Sequence, residues 1–196
     1  MPTVVVPFRP ETAKRRLAPA PNEARAALAQ AMLQDVLAAA EAVGEVIVAD
    51  QGGGQGPAVE AALRHVERVP ILVVNADLPC VKARDLLTLL GALPEGGLAL
   101  VPAADGTTNA LALSAPHLFA PVYGPGSAER FLARAERLSA PAAVARIPNL
   151  ADDVDTLDDL ERLEGRLGPS TAATLRVLGS RARAARTAGS LSAPAP

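Results

Sequence analysis

The feature that most constrains this chain is an alternation of short, unbroken apolar runs with stretches of helical periodicity. The runs are Thr3 to Pro7, Glu45 to Ala49, Ile71 to Val74, Leu98 to Val101, Ala110 to Leu113 and Ala143 to Ile147. They are β-branched or aliphatic and lack the polar interleaving of a half-wet strand, so they suit strands covered on both faces. By this reading Thr3 to Pro7 is a central strand and Glu45 to Ala49 a second buried one. Between them a helix is predicted from Asn22, a candidate N-cap, with Leu28, Met32, Val36, Ala40 and Val43 at helical spacing and Gly44 ending it. Further helices are predicted from Pro57 to about Val66, near Ala83 to Leu93, and from about Ser127 to Leu138. A last one starts near Thr156, with Asp159 at the capping-box spacing. Strands alternating with helices in this way imply an α/β fold, a three-layer sandwich around a mostly parallel central sheet.

A chain of 196 residues is long enough for one such domain and too short for two. Beyond Gly168 the sequence turns to Ala, Arg, Ser and Pro, which predicts a tail over 168–196 that is partly helical or disordered. Aromatic residues make up only 2% of the chain and tryptophan is absent. The core must therefore be Val, Leu, Ile and Ala, and no platform exists for stacking bases of a single strand. A formal net charge of -2 argues against a nucleic-acid backbone as partner. Setting aside the tail's four arginines leaves the preceding chain at about −6, a balance that calls for metal ions if a polyphosphate is to bind. Cys80 is the one cysteine, which excludes an internal disulfide and a cysteine-rich zinc site and points to reducing cytosol. With neither a signal-peptide pattern nor a membrane-length apolar stretch, the expectation is a cytoplasmic protein with no membrane partner.

In open parallel sheets ligands bind beyond the carboxyl ends of the strands, where loops and helix N-termini converge. Several polar clusters fall there. Arg9, Lys14, Arg15 and Arg16 form a basic loop able to clamp phosphates, although such runs are often plain solvated surface. Gly52, Gly53, Gly54, Gln55 and Gly56 let backbone amides approach a base or phosphate ahead of a helix start, or simply form a flexible turn. Asp77 leaves the run Ile71 to Val74 beside apolar walls, where a hard divalent cation is the common compensation for its charge. Asp152, Asp153 and Asp155 precede the last helix, where acids are also favoured by the helix dipole. Thr107, Thr108 and Asn109 after Gly106, and Gly124 to Ser127, offer hydroxyls and amides suited to a small anion.

Together these residues resemble the 2-phospho-L-lactate or phosphoenolpyruvate guanylyltransferases of deazaflavin coenzyme (F-420) biosynthesis, within the broader nucleotidyltransferase fold. The resemblance runs from about Thr3 to Leu163. It rests on Ala13-Lys14 with Arg16-Leu17-Ala18, on Ala76-Asp77-Leu78-Pro79, and on Gly106 to Leu111. It also rests on Gly124-x-Gly-Ser127 with Arg130, and on Asp153-Val-Asp-Thr156 with Asp159-Leu160. It implies a nucleotidyltransferase domain over 1–167, monomeric or homodimeric, that moves a guanylyl group from GTP onto a small phosphorylated carboxylic acid. Phosphoenolpyruvate is favoured over 2-phospho-L-lactate as that acid. The resemblance also implies Mg2+ held by Asp77 and Asp155 with Asp153 as helper, and phosphates gripped by Arg9, Lys14 and Arg16. The base would lie along Gly53, Gly54, Gln55 and Gly56, and the acceptor would be held by Thr108, Asn109, Gly124 and Ser127. The chain departs from the family pattern at Arg9, usually lysine, at Phe131, often histidine, and in the short stretch before Gly52. A molybdenum-cofactor or other small-molecule nucleotidyltransferase of the same fold, and a non-catalytic nucleotide-binding protein, are the alternative readings.

Overall fold

A computed structural model describes residues 1–9 and 21–191, the side chains of 181–191 excepted. Lys14 and Arg16 therefore lie outside the described residues. Strand β1 (Thr3–Pro7) is hydrogen-bonded in parallel to β2 (Glu45–Ala49) on one side and to β3 (Ile71–Val74) on the other. Strand β5 (Thr108–Leu113) runs antiparallel between β3 and β4 (Leu98–Pro102), and β6 (Ala142–Val144) returns parallel to β4. The six-stranded order is β2-β1-β3-β5-β4-β6, so β5 alone is reversed.

Alternate residues of each central strand face opposite layers, as the pleat requires. Val4, Val6, Leu72, Val74, Ala99 and Val101 pack beneath α1 (Asn22–Glu41), α3 (Ala83–Gly91) and α5 (Pro148–Ala151). Val5, Ile71, Val73, Leu98, Leu100 and Leu111 pack beneath α2 (Gln55–Leu63) and α4 (Ser127–Arg137). Three layers result. Leu28, Met32, Val36, Ala40 and Val43, predicted as one stripe, are all buried.

Two local expectations are corrected. Strand β2 is an edge strand, with Glu45 and Val48 exposed and only Ala49 buried, because among the described residues nothing pairs with its outer side. An apolar run alone does not distinguish an edge from a centre. Asn22 is the first residue of α1 and not its cap; its side chain instead accepts a hydrogen bond from Arg25, and Pro21 occupies the cap position. Helix α2 begins at Gln55, with Gly54 as its cap at φ 108 and Pro57 inside the first turn, where the missing N–H has no helical acceptor anyway.

The chain beyond Gly168 forms a longer helix than the partial one expected, α7 (Pro169–Leu191). Its start is fixed on α1 by Asp35, which is 5% exposed. The Asp35 carboxylate accepts hydrogen bonds from the Ser170 and Thr171 amides, each at 2.9 Å, and from the Thr171 hydroxyl at 2.7 Å. A carboxylate on the first amides of a helix satisfies donors that have no intrahelical partner and complements the dipole. Gly168 is required there, since a Cβ would lie 2.3 Å from Asp35 Cγ. Among the described residues, no helix is long and apolar enough to cross a membrane.

Candidate active site

Two acidic stretches far apart in sequence meet at the carboxyl end of the sheet. The first leaves β3 as Asn75 to Pro79; the second links α5 to α6 (Leu157–Leu163). A backbone hydrogen bond from Val154 N–H to the Asp77 carbonyl at 3.1 Å holds them together, and Gly168 N–H, beyond α6, bonds to the Pro79 carbonyl at 2.6 Å. Beneath them Cys80, Val154, Leu160 and Leu163 share a small core with Leu28 and Met32 of α1. Burial pushes the Cys80 thiol above its ordinary range, so it stays protonated and apolar in character. Thr156 and Asp159 form the predicted capping box: the Thr156 hydroxyl accepts from the Asp159 amide at 3.2 Å, and the Asp159 carboxylate accepts from the Thr156 amide at 2.9 Å. The second stretch is thereby locked as it enters α6.

The outcome is a trio of carboxylates. One oxygen each from Asp77, Asp153 and Asp155 lies within 4.8 Å of the others. Two unit charges 4.8 Å apart repel by roughly 3 kcal/mol at an effective dielectric of 20. Burial first, and then the negative charge of Asp77, raise the Asp153 carboxyl above its usual range, against the hydrogen bond it receives from Asn109. Such a cluster of hard oxygen donors could hold a divalent metal ion.

Asp152 points elsewhere. It is paired with Arg162, at 2.9 Å, and with Arg166. Burial alone would raise Asp152, but hydrogen bonds from the two guanidinium groups outweigh it and hold the carboxyl below its ordinary range. A lowered folded pKa contributes stability that is present above the unfolded value, about 3.9, and is lost as pH falls through the folded value. Asp152→Asn should therefore cost about 1 kcal/mol in urea denaturation at pH 7, both partners being partly wet. The difference from wild type should shrink as the pH is taken below about 4.

Beside the carboxylates is a cavity of about 270 Å³ at the carboxyl ends of β1, β2 and β3, lined by Phe8, Arg9, Ala49, Gly54, Gln55 and Asn75. Its size is near that of small ligand pockets, roughly 300 Å³. Arg9 is anchored by a hydrogen bond to the Gln51 carbonyl. Gly53 and Gly54 have φ of 104 and 108, a region that favours glycine. Gly56 serves packing, since a Cβ would come within 2.8 Å of Pro121. Asp153 and Asp155 themselves, with Asp105, Thr156 and Arg162, line a second cleft of about 320 Å³.

The residues assigned to the acceptor divide. Thr108 and Ser127 are fully buried and joined hydroxyl to hydroxyl at 3.1 Å, under the turn made by Gly124 and Gly126 at the start of α4. Asn109, only 2% exposed, is turned toward the carboxylates, its Nδ2 donating to the Ala151 carbonyl at 3.2 Å and to Asp153 Oδ1 at 3.3 Å. Phe131, where the family pattern often has histidine, is a core residue packed on Phe119 and Tyr123. Sequence reasoning passed over Asn75, although a polar side chain directly after four buried strand residues, at a strand's carboxyl end, was a readable signal.

Comparison with known proteins agrees with this architecture. The family model described as "Guanylyl transferase CofC like" matches residues 46–187. A phosphoenolpyruvate guanylyltransferase of Streptomyces scabiei is 35% identical, the match covering 87% of this chain and 94% of that protein. One from Roseiflexus castenholzii is 36% identical over 83% of this chain and 87% of the relative. The crystal structure of 2-C-methyl-D-erythritol 4-phosphate cytidylyltransferase from Thermus thermophilus shares the fold. It superimposes with a TM-score of 0.56 at 17% identity, covering 83% of this chain and 96% of that one. The chain belongs to the CofC-like guanylyl transferase family and is a nucleotidyltransferase.

Proposed function

We propose that this protein transfers the guanylyl group of GTP to the phosphate of phosphoenolpyruvate, releasing pyrophosphate, as a step in the synthesis of deazaflavin coenzyme F-420. The observation that carries the reading is the carboxylate trio of Asp77, Asp153 and Asp155, two of which line a cleft, in a chain whose relatives bear the name phosphoenolpyruvate guanylyltransferase. The base would occupy the cavity beside Gly54 and Gln55, with Arg9, Lys14 and Arg16 on the phosphates. The acceptor would lie against the Gly124 to Ser127 turn, where the N-terminus of α4 favours an anion.

In the reaction a phosphate oxygen of the acceptor attacks the α-phosphorus of GTP. A new P–O bond forms as the bond to the bridging oxygen of the leaving pyrophosphate breaks, so no protein nucleophile is needed. Asp77, Asp153 and Asp155 would hold magnesium, which when bound neutralises the triphosphate and the departing pyrophosphate. What the chain itself supplies is position: it holds two anions in line that would otherwise repel, which is how phosphoryl-group enzymes gain most of their rate. A cytoplasmic location and a monomeric or homodimeric state belong to this proposal.

The test is pyrophosphate release with magnesium, each nucleoside triphosphate in turn, and phosphoenolpyruvate, 2-phospho-L-lactate or a pterin as acceptor. GTP with phosphoenolpyruvate should give the highest kcat/KM. Turnover only with a pterin would replace this reading by a molybdenum-cofactor one, and GTP binding without turnover on any acceptor would remove catalysis.

A further inference from the structure

Three amide side chains run in a line from the carboxylate trio to the cavity beside Gly54. Asn109 Nδ2 is held by the Ala151 carbonyl and the Asp153 carboxylate. Asn75 Nδ2 is held by the Thr108 carbonyl at 3.3 Å and by Asn109 Oδ1 at 3.4 Å. Asn75 Oδ1 in turn accepts from Gln55 Nε2 at 2.6 Å. An isolated amide side chain can be turned over to exchange donor and acceptor. Here the inner end faces acceptors only. The Ala151 carbonyl cannot donate, so Asn109 must present its amine on that side and its oxygen to Asn75. Asn75 must then present its oxygen to Gln55, since the Thr108 carbonyl takes its amine. Reversing any one amide would set oxygen against oxygen in a partly buried chain, where an unmade hydrogen bond is costly.

We propose that this relay fixes Gln55 with its amine spent on Asn75 and its Oε1 left as an acceptor in the cavity, and that this acceptor selects a purine whose Watson–Crick edge donates. The inference rests on the guanylyl-transfer reading and names the residues that choose its base. Among the described residues nothing donates to Oε1. A glutamine free to turn over serves adenine well, giving a hydrogen bond and receiving one. A glutamine that can only accept matches guanine, whose ring N1–H and exocyclic amine are adjacent donors. Adenine places a ring-nitrogen acceptor beside its amine, and that lone pair would meet the Oε1 lone pairs; discrimination then comes from repulsion as well as attraction. Gln55 touches the base, whereas Asn75 acts through Gln55 and is a positioning residue.

The experiment is equilibrium binding of GTP, ITP and ATP to the full chain with magnesium and no acceptor acid, so that no transfer enters. Wild type should bind GTP more tightly than ATP, with ITP between them. Gln55→Met keeps the length and removes the acceptor, and the GTP-to-ATP affinity ratio should fall by about tenfold. Asn75→Val leaves Gln55 in place but releases its amine. The ratio should fall to a similar degree, with ATP binding more tightly than it does to wild type, which a merely loosened fold would not produce. If both variants keep the wild-type ratio, the inference is overturned and the GTP reading stands. If wild type itself shows no preference for GTP, both are overturned.

Discussion

Asp77→Asn is expected to lower kcat for pyrophosphate release by on the order of 10³-fold while leaving the fold intact. Asparagine keeps the shape and one oxygen donor, so packing at the end of β3 should not change. What disappears is a charge that, in the proposed reaction, would face the phosphates through the metal, a transition-state contribution of several kcal/mol. Removing it also relieves like-charge repulsion with Asp153 and Asp155, whose oxygens lie within 4.8 Å. The variant should consequently melt at or above the wild-type temperature in EDTA, and magnesium should raise its melting temperature less than it raises that of wild type. A measured loss of less than about tenfold in kcat would remove Asp77 from the metal site. A large loss accompanied by a lower melting temperature in EDTA would point to a structural role instead.

Phe131→Ala should destabilise the protein by about 3–5 kcal/mol in urea denaturation, a large share of the roughly 5–15 kcal/mol typical of a domain. The chain has three phenylalanines and one tyrosine, and three of these four rings form one cluster, so the loss is concentrated. Phe131 is fully buried, with ring centroids 5.9 Å from Phe119 and 5.5 Å from Tyr123. Its removal leaves a cavity between α4 and the chain that leads to Gly124, and strips Phe119 and Tyr123 of the ring they pack on. At a temperature where the variant remains folded, KM for the acceptor acid should match wild type, because the ring lies in the core. A shifted KM with unchanged stability would instead place Phe131 at the acceptor site.

Asp77 was readable as a candidate ligand because a carboxylate three residues past a buried strand, between Ala76 and Leu78, has few reasons to be there. Asp153 and Asp155 were readable only as a cluster that helix capping could also explain. Asp152 and Asp159 show how real that ambiguity was: the first is tied to Arg162 and Arg166, and the second caps α6. No spacing rule separates these four aspartates, because the separation is made by Val154 reaching back to the Asp77 carbonyl. Thr108 and Asn109 are adjacent in a buried strand, so their side chains take opposite faces. One meets Ser127 and the other Asp153, and only the finished sheet shows which.

By itself the sequence determined the layers, since unbroken apolar runs separated by helical stripes have few other ways to bury their surface. It likewise determined the capping box of α6 and the acidic, aromatic-poor character that argues against nucleic-acid partners, all properties of neighbouring residues or of composition. Tertiary structure alone decided that β2 is an edge, that β5 is reversed, that Asp35 fixes the start of α7 and that three aspartates and three amides form one connected site. These are contacts between residues tens of positions apart, and their free energy depends on distances that a linear pattern does not contain.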